Sequence, residues 1–371
     1  MARSNNATAS NFGTSINARP AAALEPSWVG AGCKDWRQEG RGAVDIATAL
    51  KEAGLDFTVE KQPLVRIDSV AMEGVQAGYD TIPVNKQHIV PSHMATVRTD
   101  TDDMLGVVGK DYGIVQNTKA FEFIDFIKDC AGEAPLIETA GVLNGGSRIF
   151  VTAQLGNQCF DLGPNDPVKT YVVFTNTHDG SGSVMAFITP QRVVCQNTLA
   201  MAVKGAGKNK LKFNHTSGVH KRLDWELEEN RRRAMEVFGN TVKFTASFRE
   251  AMLHLRDQNV SGEYVKEFAA SIYLNPTQMD LFKLNNFSVD GVEEIGTQLR
   301  NKVNGLQDAI ENGIGQEYYR GSKLWLINGL TTFFHNELKH SSPEAEFTST
   351  FNGDIAKKVQ TAYDRLVKIP A

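Results

Sequence analysis

The chain has 371 residues, of which 41% are hydrophobic and 22% are charged, and its formal net charge at pH 7 is -4. These values are typical of a folded globular protein, and the length suffices for two compact units or for one large unit with a helical appendage. They exclude a disordered chain, and a sequence pI near 6.1 argues against a protein whose whole surface is basic.

The cysteines and the N-terminal segment indicate the cellular compartment of the protein. The four cysteines are far apart in the sequence and form no CxxC pair, which favours reduced thiols over a zinc ribbon or a disulfide framework. The N-terminal segment lacks the apolar stretch of a signal peptide, and the chain has no run of about 18 apolar residues. We therefore expect a cytoplasmic protein that is not inserted into a membrane.

The first part of the chain predicts a tail, a helix and three strands. Residues 1–27 are rich in Asn, Ser, Ala and Thr, and we expect them to form a flexible tail. Asp45 to Gly54 has apolar residues at helical spacing and ends in glycine, which predicts a short helix. From Phe57 the apolar period changes to two, as in antiparallel strands. The predicted strands are FTVEKQPLVRI, HMATVRTD and MLGVVGKDYGIV.

A second helix is predicted after the third strand, over KAFEFIDFIKDC, with Asn117 or Thr118 as its N-cap. Strands resume with LIETAGVLNGGSRIFVTAQLG, in which the sequence NGG at 144–146 predicts a hairpin turn. The segments TYVVFTNT and VMAFITPQRVVC continue the strands.

The order of these elements is an α+β pattern. We predict an N-terminal antiparallel β-meander with an inserted helix, that is a β-β-β-α core, followed by a helical C-terminal region. The α+β core domain is expected over residues 28–222 and the helical region over residues 223–371, where cations and carboxylates alternate at the spacing of a solvated helix face. No Walker motif and no strand-GxGxxG-helix unit is present, so we expect no nucleotide cofactor.

Positive charge is concentrated in the middle of the chain. From Ser183 to Leu223 there are seven Lys or Arg residues and no Asp or Glu. Single-stranded nucleic acids are bound by cations that contact phosphates and by aromatic rings that stack on bases. The candidate binding residues are Arg98, Lys110, Tyr112, Arg148 and Arg192 from the strands and Lys204, Lys208, Lys210, Lys212, Phe213, His215, Lys221 and Arg222 from the lysine run and its end. The alternative for the lysine run is a solvated loop without a ligand.

Arg192 is embedded in the apolar segment TPQRVVCQNTL, where an unpaired charge is costly. Its counter-ion is either a protein carboxylate, such as that of Asp179, or a phosphate of a ligand. Asn197 and Thr198 suit the N-cap of a helix over TLAMAVK, and a helix N-terminus also favours anions.

Five strings resemble the phage/plasmid-like protein family, which has no assigned activity: AGLDFTVEKQPL, VRTDTDDMLGVVGKDYGIVQNTKAFEFID, ETAGVLNGGSRIFVTAQLG, NTHDGSGSV and PQRVVCQNTL. This resemblance implies DNA metabolism of a mobile element in a bacterial host. The β-β-β-α order is also similar to the core of the RecT/Redβ and Rad-type annealing proteins, which implies a homo-oligomer in the form of a ring or filament. We therefore expect a protein that binds or anneals single-stranded DNA without a nucleotide cofactor.

Two other functions stay open. The first is a hydrolase or nuclease centred on His178, Asp179 and Cys195. In it His178 acts as the base, and Ser181 or Cys195 acts as the nucleophile. No GxSxG surrounds Ser181, and the competing interpretation is a polar hairpin in which Asp179 and Ser181 bond local backbone. The second is that of a host-interaction or anti-defence protein whose helical region forms the partner surface. No HExxH or comparable spacing predicts a metal site.

Overall fold

The computed structural model describes the chain from the first strand to the last helix, with gaps. The described residues are 33–36, 39–41, 43–69, 85–131, 136–163, 166–192, 197–198, 210–239, 241–313, 316–334 and 353–367, with the single residues 338, 341, 345 and 349. The flexible tail predicted over residues 1–27 lies outside this set.

The strands of the described residues form two sheets. In chain order they are β1 (Cys33–Asp35), β2 (Val59–Ser69), β3 (Asn85–Arg98), β4 (Met104–Gly109), β5 (Leu136–Leu143), β6 (Arg148–Asp161), β7 (Pro167–Thr177), β8 (Val184–Arg192), β9 (Asn197–Thr198) and β10 (Lys210–Phe213). The small sheet has the order β2-β3-β4, and the large sheet has the order β1-β5-β6-β7-β8-β10, with β9 also paired to β8. All of these pairs are antiparallel.

Helices follow the first strand, separate the two sheets along the chain and make up most of the C-terminal part. They are α1 (Ile46–Glu52), α2 (Thr118–Ala131), α3 (Val219–Arg222), α4 (Glu228–Gly239), α5 (Thr241–Arg256), α6 (Gly262–Ser271), α7 (Pro276–Leu284), α8 (Thr297–Asn312), α9 (Lys323–Thr332) and α10 (Asp354–Val367). The predicted α+β class, with an antiparallel meander, an inserted helix and a helical C-terminal region, is confirmed.

The structure adds that the strands before and after α2 belong to different sheets. Consecutive strands pair when a short turn joins them, and the connection from β4 to β5 contains a whole helix instead. The strand β5 therefore pairs with β6 and β1. The predicted hairpin turn at 144–146 is confirmed, and Gly145 there has a φ of 66°, a left-handed conformation that glycine adopts without strain.

The main hydrophobic core lies between one face of the large sheet and the helices α2 and α4. From α2, the side chains of Phe123 and Ile127 are fully buried in this core, as are Val151 of β6 and Phe174 of β7 at 0–2% exposure. The rings of Phe123 and Phe174 are 5.6 Å apart between centroids. The apolar stripe predicted for α2 is thus the face that holds the helix on the sheet.

The start of the helical region belongs to this same core. The ring of Trp225 stacks on Phe126 of α2, with 5.5 Å between centroids and 9° between planes. Phe238 of α4 packs edge-on against Phe123 at 5.4 Å. A domain boundary between residues 222 and 223 would cut through these contacts. The core of the helical lobe contains Phe248 of α5 and also Leu162 and Val168, which precede this boundary.

The helical lobe is built around α9, in which every residue from Leu324 to Thr332 is buried. A helix that is buried on all sides needs neighbours all around it, and α9 contacts α5, α8 and α10. The lobe is attached to the end of the large sheet by apolar packing, with the rings of Phe160 and Phe248 6.2 Å apart between centroids, and by polar contacts. The Tyr319 hydroxyl donates to Asp166 Oδ2 at 2.5 Å, and Arg256 Nη1 donates to the Leu162 carbonyl at 2.8 Å.

Two further observations concern membrane insertion and the cysteines. Within the described segments, no helix is long and apolar enough to cross a bilayer. Neither Cys33 nor Cys159 takes part in a disulfide.

Replacing Trp225 with alanine tests the assignment of residues 223–239 to the sheet core. We expect Trp225→Ala to lower the free energy of unfolding by about 3–5 kcal/mol, because it removes a buried ring that packs on α2. The matched control is Leu227→Ala, since Leu227 is 46% exposed, and its change should stay within about 0.5 kcal/mol. Urea unfolding followed by circular dichroism measures both. A cost for Trp225→Ala as small as that of the control would contradict the assignment.

Candidate functional site

The two sheets meet where the central strand of the small sheet crosses the end of β7. Thr96 Oγ1 of β3 donates a 2.6 Å hydrogen bond to the carbonyl of His178. The backbone of β4 approaches equally closely, because a Cβ added at Gly106 would lie 2.6 Å from the Cα of Asp179. Only glycine permits that approach. The histidine and carboxylate singled out in the sequence therefore lie at a junction between sheets.

His178 is held in one neutral form at this junction. The amide nitrogen of Asn117 donates to the carbonyls of Leu55 and Phe57 at 3.2 and 3.3 Å, so its Oδ1 faces the imidazole as an acceptor. His178 Nε2 lies 2.9 Å from that oxygen and must carry the proton that it donates. The side chain of Asn117 is therefore engaged in tertiary contacts rather than in capping α2.

Burial keeps His178 uncharged. The side chain is 0% exposed, and burial, followed by the nearby His215, lowers the pKa of His178 to about 3 although Asp179 opposes the shift. A general base must reach its substrate and bind a proton near the operating pH, and His178 does neither. The hydrolase hypothesis centred on His178, Asp179 and Cys195 loses its base, and Cys195 lies outside the described residues.

The hairpin after β7 has the local structure that was the alternative to catalysis. Asp179 Oδ1 accepts hydrogen bonds from the backbone N–H of Ser181 at 2.9 Å and from its hydroxyl at 2.6 Å. These bonds close a polar turn of the kind that Asp and Ser commonly stabilise. In the described part of the chain, no group of three or more His, Cys, Asp or Glu side chains could hold a metal ion.

The aromatic candidates for base stacking are already packed inside the protein. The rings of Tyr112 and His215 stack on each other at 4.6 Å, the Tyr112 hydroxyl donates to the Thr177 carbonyl at 2.8 Å, and His215 Nδ1 donates to the Gly113 carbonyl at 2.9 Å. Burial raises the pKa of Tyr112 and lowers the pKa of His215. Phe213 is only 5% exposed. The prediction that these three rings stack on nucleic-acid bases is therefore corrected.

Arg98 is also occupied within the protein. Its guanidinium carbon lies 3.9 Å from the ring centroid of Phe57, and the group donates to the Gly145 carbonyl at 3.1 Å and to Asp100 at 2.7 Å. These contacts tie β3 to the hairpin turn before β6, so the prediction of a phosphate contact for Arg98 is corrected to a structural role.

Arg148 lines a cavity beside the hairpin that follows β7. Its Nη2 is 3.5 Å from Ser181 Oγ. The cavity has a volume of about 420 Å³ and is lined by Asn144, Ser147, Arg148, Asp179, Ala345, Ser349 and Gly353. Arg148 is half-buried there, whereas the cations near β10 are exposed.

The structure describes Arg192 and the first part of the lysine run only in part. The backbone of Arg192 pairs with Val168 at the start of β7, whereas Asp179 follows the end of that strand. At about 3.3 Å per residue, Arg192 and Asp179 are roughly 30 Å apart, so the suggested ion pair between these two residues is excluded. Asn197 and Thr198 form β9, and the helix predicted after them lies outside the described residues. Lys204, Lys208 and the side chains of Arg192 and Lys210 also lie outside the described residues.

A group of exposed cations remains near the edge strand β10. Of the predicted residues, Lys110, Lys212 and Lys221 are exposed, and the fold adds Arg232 and Arg233. Sequence reasoning assigned the Arg231–Arg233 run to an ordinary solvated helix face. The signal that distinguishes it is the run itself, because three consecutive cations cannot all alternate with carboxylates.

Four of these exposed cations belong to β10, α3 and α4, and we call them the basic cluster: Lys212, Lys221, Arg232 and Arg233. Arg233 of α4 lies over the ring of Phe213 of β10, with 5.4 Å from its guanidinium carbon to the ring centroid. Asn230 Nδ2 of α4 donates to the Lys221 carbonyl of α3 at 2.6 Å. No described carboxylate forms an ion pair with any of the four. The cluster is therefore open to an external anion.

The basic cluster lies on both sides of the sheet edge. Lys212 is paired with Met185 and so points to the same face of the large sheet as that residue. Phe213, and with it Arg233, belongs to the opposite face, on which α2 and α4 pack. A ligand that contacts the whole cluster must bend across β10.

Comparisons with known proteins give a family but no activity. A family model described as "Domain of unknown function (DUF932)" matches residues 104–313. The matched range contains His178, Asn117 and the basic cluster, whereas Thr96 of the junction lies before it. No curated protein and no solved structure matches the chain.

The neutral state of His178 predicts how stability depends on pH. The unfolded chain binds a proton at His178 below about pH 6.5, whereas the folded chain does so only near a pKa of about 3, so the stabilisation is complete above pH 6.5 and is lost as the pH falls towards 3. We expect a loss of about 2 kcal/mol between pH 7 and pH 5 in urea unfolding. His178→Gln can still donate to Asn117 but cannot be charged, and it should show a smaller loss.

The control for this experiment is His220→Gln, because His220 is exposed. It should keep the pH dependence of the unmodified protein. An identical pH dependence in the His178→Gln variant would show that the junction does not need a neutral imidazole.

Proposed function

This chain belongs to the DUF932 family, a domain of unknown function, and on that premise we propose that it binds single-stranded DNA along the β10 edge. The observation that carries the proposal is the basic cluster of Lys212, Lys221, Arg232 and Arg233, which is exposed and has no carboxylate partner among the described residues. Cations of this kind bind phosphates and release counter-ions, which is the main source of affinity in sequence-independent binding.

The shape of the cluster favours a single strand over a duplex. Its cations lie on both sides of β10, so the bound backbone has to curve over one strand edge. Duplex DNA has a persistence length of about 150 base pairs and resists such a bend, whereas a single strand follows it at little cost.

The mode of binding is electrostatic and does not involve stacking on Tyr112, Phe213 or His215, since all three rings are packed against protein. Affinity should therefore be insensitive to base identity. The resemblance to phage/plasmid-like proteins and to the annealing proteins supports DNA as the ligand and the annealing of complementary strands as the activity. The charge pattern agrees with binding to DNA.

Charge reversal in the basic cluster tests the proposal. We expect Lys212→Glu/Arg232→Glu/Arg233→Glu to abolish binding of a labelled single-stranded oligonucleotide in fluorescence anisotropy at low salt. Replacing these residues by glutamine instead should lower the dependence of log K on log salt by about 2, because each phosphate contact contributes about 0.7 for a single strand.

The matched control reverses three exposed cations elsewhere, Lys51 of α1, Arg249 of α5 and Lys357 of α10. It changes the net charge by the same amount and should keep most of the affinity. Equal losses in both triple variants would mean that only net charge matters, and no binding by the unmodified protein at low salt would overturn the proposal.

A second experiment separates electrostatic binding from base stacking. Removing a ring that stacks on a base costs about 1–3 kcal/mol of binding free energy. We expect Tyr112→Leu to leave the affinity for the oligonucleotide unchanged and to lower only the stability of the fold, because Tyr112 contacts His215 and Thr177 instead. A tenfold or greater loss of affinity in folded Tyr112→Leu protein would show that the ring reaches the ligand.

A further inference from the structure

The position of Lys221 in the basic cluster depends on a helix that is only one turn long. The helix α3 consists of the four residues Val219–Arg222 and lies between β10 and α4 in the chain. A helix of this length is not stable on its own, because one turn of hydrogen bonds does not offset the conformational entropy of its residues. Gly218, which precedes it, offers no side-chain cap. Contacts with other segments therefore hold Lys221 in place.

Asn230 of α4 makes the contact on one side of α3. Its Nδ2 atom donates hydrogen bonds to two backbone carbonyls, that of Lys221 at 2.6 Å and that of Asp224 at 2.8 Å. Arg232 and Arg233 lie within one turn of Asn230 on the same helix. One amide thus fixes the backbone at Lys221 to the helix that carries the two arginines.

Asn230 has no donor left for a ligand. A side-chain amide carries two N–H groups, and the two carbonyls accept from both of them. Its remaining polar atom, Oδ1, is an acceptor and does not attract a phosphate. The effect of Asn230 on an anionic ligand is therefore indirect.

Arg222 makes the contact on the other side of α3. Its Nη2 atom donates to the Asn214 carbonyl at 2.9 Å and to Thr216 Oγ1 at 2.7 Å, both in the turn that follows β10. The side chain is half-buried. These hydrogen bonds within the protein correct the prediction that Arg222 binds nucleic acid. They tie α3 to the end of the strand that carries Lys212.

Apolar packing also anchors α3 but does not orient it. Val219 and the adjacent Leu223 are buried in the main core at 0% and 1% exposure. Burial of apolar surface is non-directional, whereas hydrogen bonds have preferred distances and angles. The two bonds from Asn230 therefore specify the orientation of the backbone from which the Lys221 side chain leaves.

We propose that Asn230 is a positioning residue for DNA binding and that it acts through Lys221. This inference rests on the proposed binding at the β10 edge. By tying α3 to α4, Asn230 holds Lys221 in a fixed position relative to Arg232 and Arg233 before the ligand arrives. A cation whose backbone is already ordered loses less conformational freedom when it binds a phosphate, so its contribution to the affinity is larger.

A double-mutant cycle in DNA affinity tests this role. Fluorescence anisotropy with a labelled single-stranded oligonucleotide at low salt compares the unmodified protein, Asn230→Ala, Lys221→Gln and the double variant. We expect each single variant to bind about two- to fivefold more weakly, the size of one exposed ion pair. The double variant should bind only as weakly as Lys221→Gln, because Asn230 acts through Lys221. A purely structural role of Asn230 gives the same loss in both backgrounds.

The matched control is Asn285→Ala. Asn285 Nδ2 also donates to two backbone carbonyls, those of Ser288 and Asp290, both at 2.9 Å, but it follows α7 at a distance from β10 in the chain. Its removal should lower the stability in thermal unfolding, as the removal of Asn230 does. The affinity for the oligonucleotide should not change.

The unmodified protein has to bind the oligonucleotide, and no binding at low salt overturns the proposed function and this inference with it. Given binding, three results overturn only the role of Asn230: either single variant of the cycle binds as tightly as the unmodified protein, Asn285→Ala loses as much affinity as Asn230→Ala, or the loss from Asn230→Ala persists in full in the Lys221→Gln background. If circular dichroism shows that Asn230→Ala does not fold, Asn230→Gln replaces it in the cycle. Its longer side chain displaces the amide from both carbonyls, and the same pattern of affinities is expected.

Discussion

The joining of the two sheets depends on the hydrogen bond between His178 and Asn117. The Asn117 amide is oriented by the carbonyls of Leu55 and Phe57, which lead into β2, and it can only accept from the imidazole. The carbonyl of His178 in turn holds Thr96 of β3. One neutral side chain thus connects the small sheet, the start of α2 and the end of β7. The low polarity of its surroundings, which makes these bonds strong, also makes a charge there costly.

This constraint explains why the most reactive-looking stretch of the chain is structural. His178 bonds to Asn117, Asp179 bonds to Ser181, and Tyr112 and His215 stack on each other. These side chains bond to one another or to nearby backbone, although His178 Nδ1 and His215 Nε2 are buried with no hydrogen-bond partner among the described residues. The groups left over for an external ligand are long cations on the surface, whose charges remain in solvent.

The basic cluster lies where β10 meets α3 and α4 on the large sheet. Because both sheets are attached at the junction around His178, that junction and the close approach at Gly106 set the position of the small sheet relative to the large one.

Local patterns in the sequence determined the elements but not the site. The helix after Asp45, the stripe of α2 and the turn at 144–146 were predictable, since caps, periodicity and left-handed turns depend on neighbouring residues. Tertiary structure decided which candidates stay free. Tyr112 meets His215 across 103 positions of chain, and Arg98 meets the Gly145 carbonyl across 47. Such pairings depend on how distant segments pack, which short-range spacing does not encode.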